Sequence, residues 1–225
     1  MTKWDYGDEG REFPVADGDL WVVDKHLFVC SDLMASGVFD QLVTQHVPSL
    51  VYTDPPWGKA LLNGFRTKAG LEPADHDWTD LYVAAVAIAH GLPCWLESGR
   101  RETEQVWHNV LVGAYRARYE ITYYHRSPAV LHYCGPVPPP CDPSGLDDDV
   151  TPGFVMKHYD VGCVADPMSG RGGTACNAAR QGWRSVNNEL NPHRLSAALS
   201  RVAKITGVKP EVVNRGLTRV TVQEA

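Results

Sequence analysis

Val164-Ala165-Asp166-Pro167-Met168-Ser169-Gly170-Arg171-Gly172-Gly173-Thr174 is the stretch from which the fold is read. An apolar run ends in an acid and a proline. A glycine turn follows, and a helix is expected from about Gly173 to Gln181. Glycines let the backbone approach a ligand closely, and a helix start offers free N–H groups. A strand is expected next, over Arg184–Asn188, and it runs into Asn188-Glu189-Leu190-Asn191. Glu189 lies 19 residues beyond Gly170. An acid at the end of the second strand of such a unit is placed to grip the hydroxyl pair of a ribose. The turn and the acid together point to a ligand containing a nucleoside.

Upstream, the apolar strand Ser49–Thr53 is stopped by Asp54-Pro55-Pro56-Trp57-Gly58. Two prolines remove two N–H donors and fix two φ angles, so the turn is stiff. It holds the Asp54 carboxylate and the Pro55 carbonyl, both acceptors, at the edge where open α/β sheets bind ligands. Trp57 adds a flat apolar face. An aromatic amine fits this trio: its N–H groups donate to the acceptors while its ring stacks on the indole. A rigid turn with a packed Trp would read the same way.

The remaining segments alternate in type. Strands are expected at Leu20–Val23 and His26–Cys30, paired as a hairpin, and at Pro93–Glu97 and Val161–Asp166. Helices are expected at Leu33–Thr44, Thr79–His90, Thr103–Ala114, Phe154–Tyr159 and Pro192–Thr206. Ala117–Tyr124 and Ala129–Tyr133 read as a second hairpin across Arg126-Ser127-Pro128. Strands alternating with helices mean an α/β protein with a mostly parallel sheet, and a late hairpin adds antiparallel strands at one edge.

The chain has 225 residues, the length of one domain. We expect a single domain over 1–225, with a polar arm at 1–19 and a C-terminal extension at 207–225. Hydrophobic residues at 44% and charged residues at 21% exclude general disorder. The formal charge of −6 argues against nucleic-acid binding by bulk charge alone. Residues 177–225 nevertheless carry eight basic and three acidic side chains, the balance of a face able to meet phosphate. The six cysteines form no C-x-x-C pair and are read as reduced thiols. A zinc site from His132, Cys134 and Cys141 lacks a second close ligand pair, so no metal is expected. The acidic start is unlike a signal peptide, and the longest apolar run, Leu81–Ala89, is far below a membrane span. A cytoplasmic protein without a membrane partner is the expectation.

These motifs together resemble the S-adenosylmethionine-dependent amino-methyltransferases that modify exocyclic amines of nucleic-acid bases. Asp54-Pro55-Pro56-Trp57 is similar to their catalytic motif, D/N/S-P-P-Y/F/W. Asp166 to Thr174 resembles their cofactor loop, D-P-F-x-G-x-G-T-T, and Gly182 to Pro192 the segment ending in the ribose acid. The catalytic motif precedes the cofactor loop, which is the permuted beta order of DNA methyltransferases. The match spans roughly residues 20–206. It implies a Rossmann-like class I methyltransferase fold: a mostly parallel seven-stranded sheet, an antiparallel edge hairpin and helices on both faces. It further implies S-adenosyl-L-methionine as cofactor. Its methionine end would lie against Asp166, Pro167, Met168, Ser169, Gly170 and Gly172, with Thr174 also cofactor-binding and Phe154 packing nearby. Glu189, followed by Asn191, would take the ribose, and Asp32 the adenine amine. Asp54, Pro55, Pro56 and Trp57 would hold the target amine. Asp at the first motif position favours adenine N6 over cytosine N4. Trp at the fourth is similar to adenosine-N6 enzymes acting on RNA, so RNA stays beside DNA as a substrate.

The chain departs from that family between the late hairpin and the cofactor segment. About eighteen residues, Cys134 to Thr151, replace a recognition region, and Gly135–Asp149 carries five prolines and four aspartates. Recognition would then come from loops, from a homo-oligomer or from a separate subunit. Gly58 to Asp77, with Lys59, Arg66 and Lys68, reads as a mobile loop beside the catalytic turn. Arg116, Arg118, His125 and Arg126 are further candidates for phosphate contact. Three other readings remain open at this point: a methyltransferase of the same fold acting on another amine, a non-catalytic binding subunit, and a nicotinamide-dependent dehydrogenase. Against the last, Pro167 stands where that fingerprint needs a tight glycine turn.

Overall fold

Every residue of the strand Leu50–Thr53 that leads into Asp54 is buried, as a central strand covered on both faces requires. The computed structural model describes residues 10–124 and 127–217. Its elements in chain order are β1 (Leu20–Val23), β2 (His26–Cys30), α1 (Leu33–Ser36), α2 (Val38–His46), β3 (Leu50–Thr53), α3 (Lys59–Lys68), α4 (Trp78–Ala89), β4 (Cys94–Gly99), α5 (Thr103–Asn109), β5 (Tyr115–Tyr123), β6 (Ser127–Gly135), α6 (Thr151–Met156), β7 (Cys163–Asp166), α7 (Gly173–Arg180), β8 (Arg184–Glu189), α8 (Pro192–Thr206) and β9 (Glu211–Asn214).

The strands form one sheet in the order β5-β6-β4-β3-β7-β8-β2-β1-β9. Among the described residues the sheet therefore has nine strands, not the seven expected. Four of its eight neighbour pairings are parallel and four antiparallel, so it is mixed rather than mostly parallel. The parallel part is the centre, from β4 through β3, β7 and β8 to β2. Antiparallel strands close both ends: β6 and β5 at one, β1 and β9 at the other. β9 lies in the segment read as a C-terminal extension. Three of its four residues are exposed, so it lacks the inside–outside alternation that marks a strand.

Adjacent residues of β3 pack on opposite faces of the sheet. Val51 joins Phe39 and Leu42 of α2, Tyr82 and Ala85 of α4, and Val106 of α5. Leu50 and Tyr52 join Trp95, Met156 of α6 and Ala178 of α7. A third cluster seats Leu195, Leu199 and Val202 of α8 on Phe28 and Cys30 of β2. Helices thus cover both faces, as expected.

Several local expectations change. The helix expected over Leu33–Thr44 is two helices, because Gly37 takes φ 63° between them. The expected mobile loop at Gly58–Asp77 instead contains the helix α3. Gly58 at φ 98° turns the chain out of the proline motif, and Leu61, Leu62 and Phe65 then share one helical face. The helix expected at Phe154–Tyr159 begins earlier, at Thr151, with Pro152 in its first turn. The connection 135–149 is tied to the outer edge of β5. Gly145 N–H donates to the Glu120 carbonyl at 2.8 Å, and Asp148 N–H to the Thr122 carbonyl at 2.8 Å. The described part of the N-terminal arm is docked. Phe13 N–H donates to Ser196 Oγ at 3.0 Å, and Asp19 pairs with Arg215. His125, Arg126 and the outer parts of both terminal segments lie outside the described residues.

Candidate active site

β3, β7, β8 and β2 all end at one edge of the sheet, because they are parallel neighbours. Their exit residues, Asp54, Asp166, Glu189 and Ser31-Asp32, are therefore gathered from distant parts of the chain. A cavity of about 330 Å³ opens above this edge. Its wall includes Asp54, Pro55, Pro56, Trp57, Asp32, Met168 and Glu189, so seven of the expected site residues meet in one space.

The proline turn presents its groups as a unit. The Trp57 indole N–H donates to Asp54 Oδ1 at 2.8 Å, which fixes the carboxylate and the ring together. Trp57 is also packed on the exit of β4, where a Cβ on Gly99 would lie 2.9 Å from Trp57 Cε3. Tyr123 meets the indole with ring centroids 4.6 Å apart, and Tyr124 meets Tyr123 at 4.5 Å. Tyr123, Tyr124 and Ser127 reach the cavity from the β5–β6 hairpin. The sequence reading missed this aromatic wall, although the Tyr-Tyr doublet beside the hairpin turn was its visible sign.

Burial pushes the Asp54 carboxyl up to about 7. The Trp57 N–H and the Arg194 charge pull it down, and Asp148 and Asp166 push it further up. Behind it lies Glu97 of β4, also missed from sequence. Thr53 and Leu96 are register partners in parallel strands, so the next residues, Asp54 and Glu97, share a face. Glu97 is 3% exposed. Its Oε1 accepts from Tyr52 Oη at 2.7 Å, and its Oε2 has no hydrogen-bond partner among the described residues. Burial first, and then the Asp54 charge, hold Glu97 well above the usual carboxylate range.

The raised carboxyl has a stability consequence. The folded chain keeps on Glu97 a proton that the unfolded chain releases near about pH 4.3. The folded state then binds more protons, so this group's contribution to stability falls as pH rises above that value. Glu97→Gln is permanently neutral and nearly isosteric. Relative to the parent, its melting temperature should be higher at about pH 8 than at about pH 5. A difference that stays constant with pH would show Glu97 ionised in the folded chain.

Asp166, Pro167, Ser169, Gly170, Gly172, Thr174 and Asn191 do not line the cavity; they form the strand end and turns next to it. Asp166, at the end of β7, accepts from Met168 N–H at 3.2 Å. Burial raises it to about 6, against the pull of the Thr174 and Thr53 hydroxyls. Pro167 bonds through its carbonyl to Asn188 Nδ2 at 3.0 Å, and Asn188 Oδ1 accepts from Ser31 Oγ at 2.6 Å. Asn188 thereby ties the β7 turn to the end of β2. Ser169 N–H donates to the Asn188 carbonyl at 2.7 Å. Gly170 and Gly172 take φ 56° and 75°, where a side chain is strained. A Cβ on Gly172 would also lie 2.9 Å from Ala198 Cβ of α8. Glu189 Oε1 accepts from Asn191 N–H at 2.8 Å. Burial raises the Glu189 carboxyl, while Arg194 and backbone N–H groups hold it down. Asn191 caps α8 by accepting from His193 and Arg194 N–H groups. Phe154 does not line the cavity; its ring meets His158 at 4.8 Å.

Helix α3 forms the remaining wall through Leu61, Leu62, Phe65 and Arg66. Arg66 Nη1 pairs with Asp32 Oδ2 at 2.6 Å, so neither is an isolated charge. Two other candidate phosphate contacts are engaged within the chain. Arg118 pairs with Glu104 at 2.6 Å, and Arg116 stacks on Trp107 at 5.1 Å. Lys59, Arg100 and Arg101, by contrast, are exposed; Lys59 follows Trp57 by two residues, and Arg100 follows Gly99. Among the described residues no group of His, Cys, Asp and Glu could hold a metal ion. None of their helices is long and apolar enough to cross a membrane.

No family model matches the chain, and no curated protein matches it. Solved structures do. The M1.HpyAVI–SAM complex aligns with a TM-score of 0.54 at 11% identity, covering 79% of this chain and 98% of that one. TTHA0409 from Thermus thermophilus aligns at 0.50 and 17% identity, covering 76% and 93%. The cytosine-N4-specific PvuII DNA methyltransferase aligns at 0.50 and 10% identity, covering 83% and 93%. The chain therefore has the Rossmann-like α/β fold on which the PvuII DNA methyltransferase is built.

Proposed function

We propose that this protein methylates an exocyclic amine of a nucleic-acid base, with adenine N6 in DNA as the leading target and S-adenosyl-L-methionine as the methyl donor. The observation that carries the reading is one cavity with a Trp57-oriented Asp54 carboxylate on one wall and the Glu189 carboxylate on another. The residues fit the cofactor. Glu189 is an acceptor for ribose hydroxyls, Asp32 is an acceptor for an adenine amine, and Met168 and Leu190 give apolar wall. When bound, the cofactor supplies an electrophilic methyl group on a positively charged sulfur.

The chain's own part is positioning and charge placement. Asp54 accepts one N–H of the target amine and the Pro55 carbonyl accepts the other, which directs the nitrogen lone pair. Trp57 holds the carboxylate in place and offers its ring to the base. As the nitrogen becomes cationic, the ionised Asp54 stabilises it and takes the surplus proton. A base in a duplex must be flipped to reach such a pocket. Lys59, Arg100 and Arg101 are exposed cations of the type that meets the backbone of the strand that delivers it. The fold shared with a cytosine-N4-specific enzyme supports cytosine N4 as a second reading.

Labelled S-adenosylmethionine incubated with DNA and RNA, followed by nucleoside analysis, tests this. N6-methyldeoxyadenosine is expected, with incorporation falling as salt rises. Label in N4-methyldeoxycytidine would select the second reading. Label in RNA alone would replace DNA as substrate, and label in neither polymer would overturn the proposal.

A further inference from the structure

Arg194 was not among the residues expected from the sequence, yet it lines the cavity between three of its parts. It is the third residue of α8, and its side chain is 21% exposed. Its guanidinium carbon lies 4.5 Å from the centroid of the Phe65 ring of α3. Its Nε is 4.0 Å from Glu189 Oε2. Its Nη2 hangs over the glycine turn, 2.5 Å from where a Cβ on Gly170 would be. A side chain at 170 would push this flexible end aside, so the guanidinium as placed occupies space that the glycine leaves open. The Arg194 charge reaches across the cavity and pulls down the carboxyls of both Asp54 and Glu189.

Donor and acceptor chemistry narrows what this group can bind. A guanidinium has five N–H donors and no acceptor, and its planar fork matches a carboxylate. Glu189 and Asp32 are acceptors, suited to hydroxyls and an amine. Adenosine presents both and has no anionic group for the guanidinium fork. Stacking on Phe65 orients the fork before any ligand arrives, which lowers the ordering cost of a two-point contact.

We propose that Arg194 binds the carboxylate of the cofactor's amino-acid end, an inference that rests on the S-adenosylmethionine reading above. The protein then recognises its cofactor from both ends: acceptors take the nucleoside, and a cation above the Gly170 turn takes the anion. Phe65 extends this recognition to α3, the helix that follows the catalytic turn.

Two ligands separate this role from a general one. S-adenosylhomocysteine carries the amino-acid end; 5′-methylthioadenosine keeps the adenine, ribose and thioether and lacks it. Calorimetry on the parent, Arg194→Gln and Arg194→Lys gives the three comparisons. Arg194→Gln should weaken S-adenosylhomocysteine by about tenfold or more, as expected for loss of a charge-assisted contact. It should change 5′-methylthioadenosine by less than about twofold, and Arg194→Lys should recover part of the loss. The same 5′-methylthioadenosine affinity in all three proteins also reports an intact pocket. Equal weakening of both ligands, or no weakening of either, would overturn the carboxylate role and leave the cofactor reading standing. If the parent bound neither ligand, the cofactor reading would fail, and this inference with it.

Discussion

Asp54→Ala should nearly abolish methyl transfer while leaving cofactor affinity within a few-fold of the parent. The proposal puts the two roles on different elements: Asp54 belongs to the β3 turn with Trp57, whereas Glu189, the proposed ribose acceptor, belongs to β8. The loss should appear in the chemical step, at about 10²–10⁴-fold in single-turnover rate, because the carboxylate matters most while the nitrogen gains charge. The pH dependence follows from the same group. Desolvation pushes the Asp54 carboxyl up to about 7, and only its ionised form accepts the proton. The parent's rate should therefore rise with pH through about 7. Asp54→Asn still accepts from the amine but carries no charge, so it should be slow and lack this rise. A parental rate in Asp54→Ala, or the same acid limb in Asp54→Asn, would remove Asp54 from the chemistry. The Pro-Pro turn would then be a rigid structural corner.

What the sequence disclosed is the part of the site carried by local chain order. Asp54 to Trp57 follows one strand directly, and Asp166 to Gly172 follows another. A strand ending in a stiff or glycine-rich turn needs no distant partner to be recognised. Glu97 gave no such sign. It ends an apolar strand segment, and only the register of β4 beside β3 sets it behind Asp54. Arg194 was hidden for the opposite reason: a basic residue in an amphipathic helix reads as solvent-facing until Phe65 and Gly170 are seen around it. Gly58–Asp77 has the glycines and charges of a loop, but Leu61, Leu62 and Phe65 recur at helical spacing and α3 forms on them. The pairing of Arg66 with Asp32 joins positions 34 residues apart, a contact that chain order does not encode. The extra strands had the weakest signal, since β9 gains its pairing from β1 while its own residues face solvent.

Glu189→Ala should weaken cofactor binding more than any other single change in the nucleoside half of the cavity. Glu189 is 5% exposed, and its carboxylate is already anchored, with Oε1 accepting from Asn191 N–H. That bond fixes the side chain before a ligand arrives, so little rotamer entropy is lost on binding. Hydrogen bonds from hydroxyls to a charged acceptor contribute about 1.5–3 kcal/mol. Loss of the pair should then cost at least about 2 kcal/mol, roughly thirtyfold in Kd. Glu189→Gln separates the ligand's share from the chain's own. Its amide oxygen can still accept from Asn191 N–H and hold the turn, but it lacks the charge. It should fall between the parent and Glu189→Ala in affinity for S-adenosylhomocysteine. The ligand-induced rise in melting temperature should shrink in the same order, because a ligand bound only to the folded state stabilises it in proportion to the logarithm of its affinity. Unchanged affinity in Glu189→Ala would place the nucleoside elsewhere. Loss in both variants together with a parental melting temperature would instead show that the negative charge itself holds the ribose.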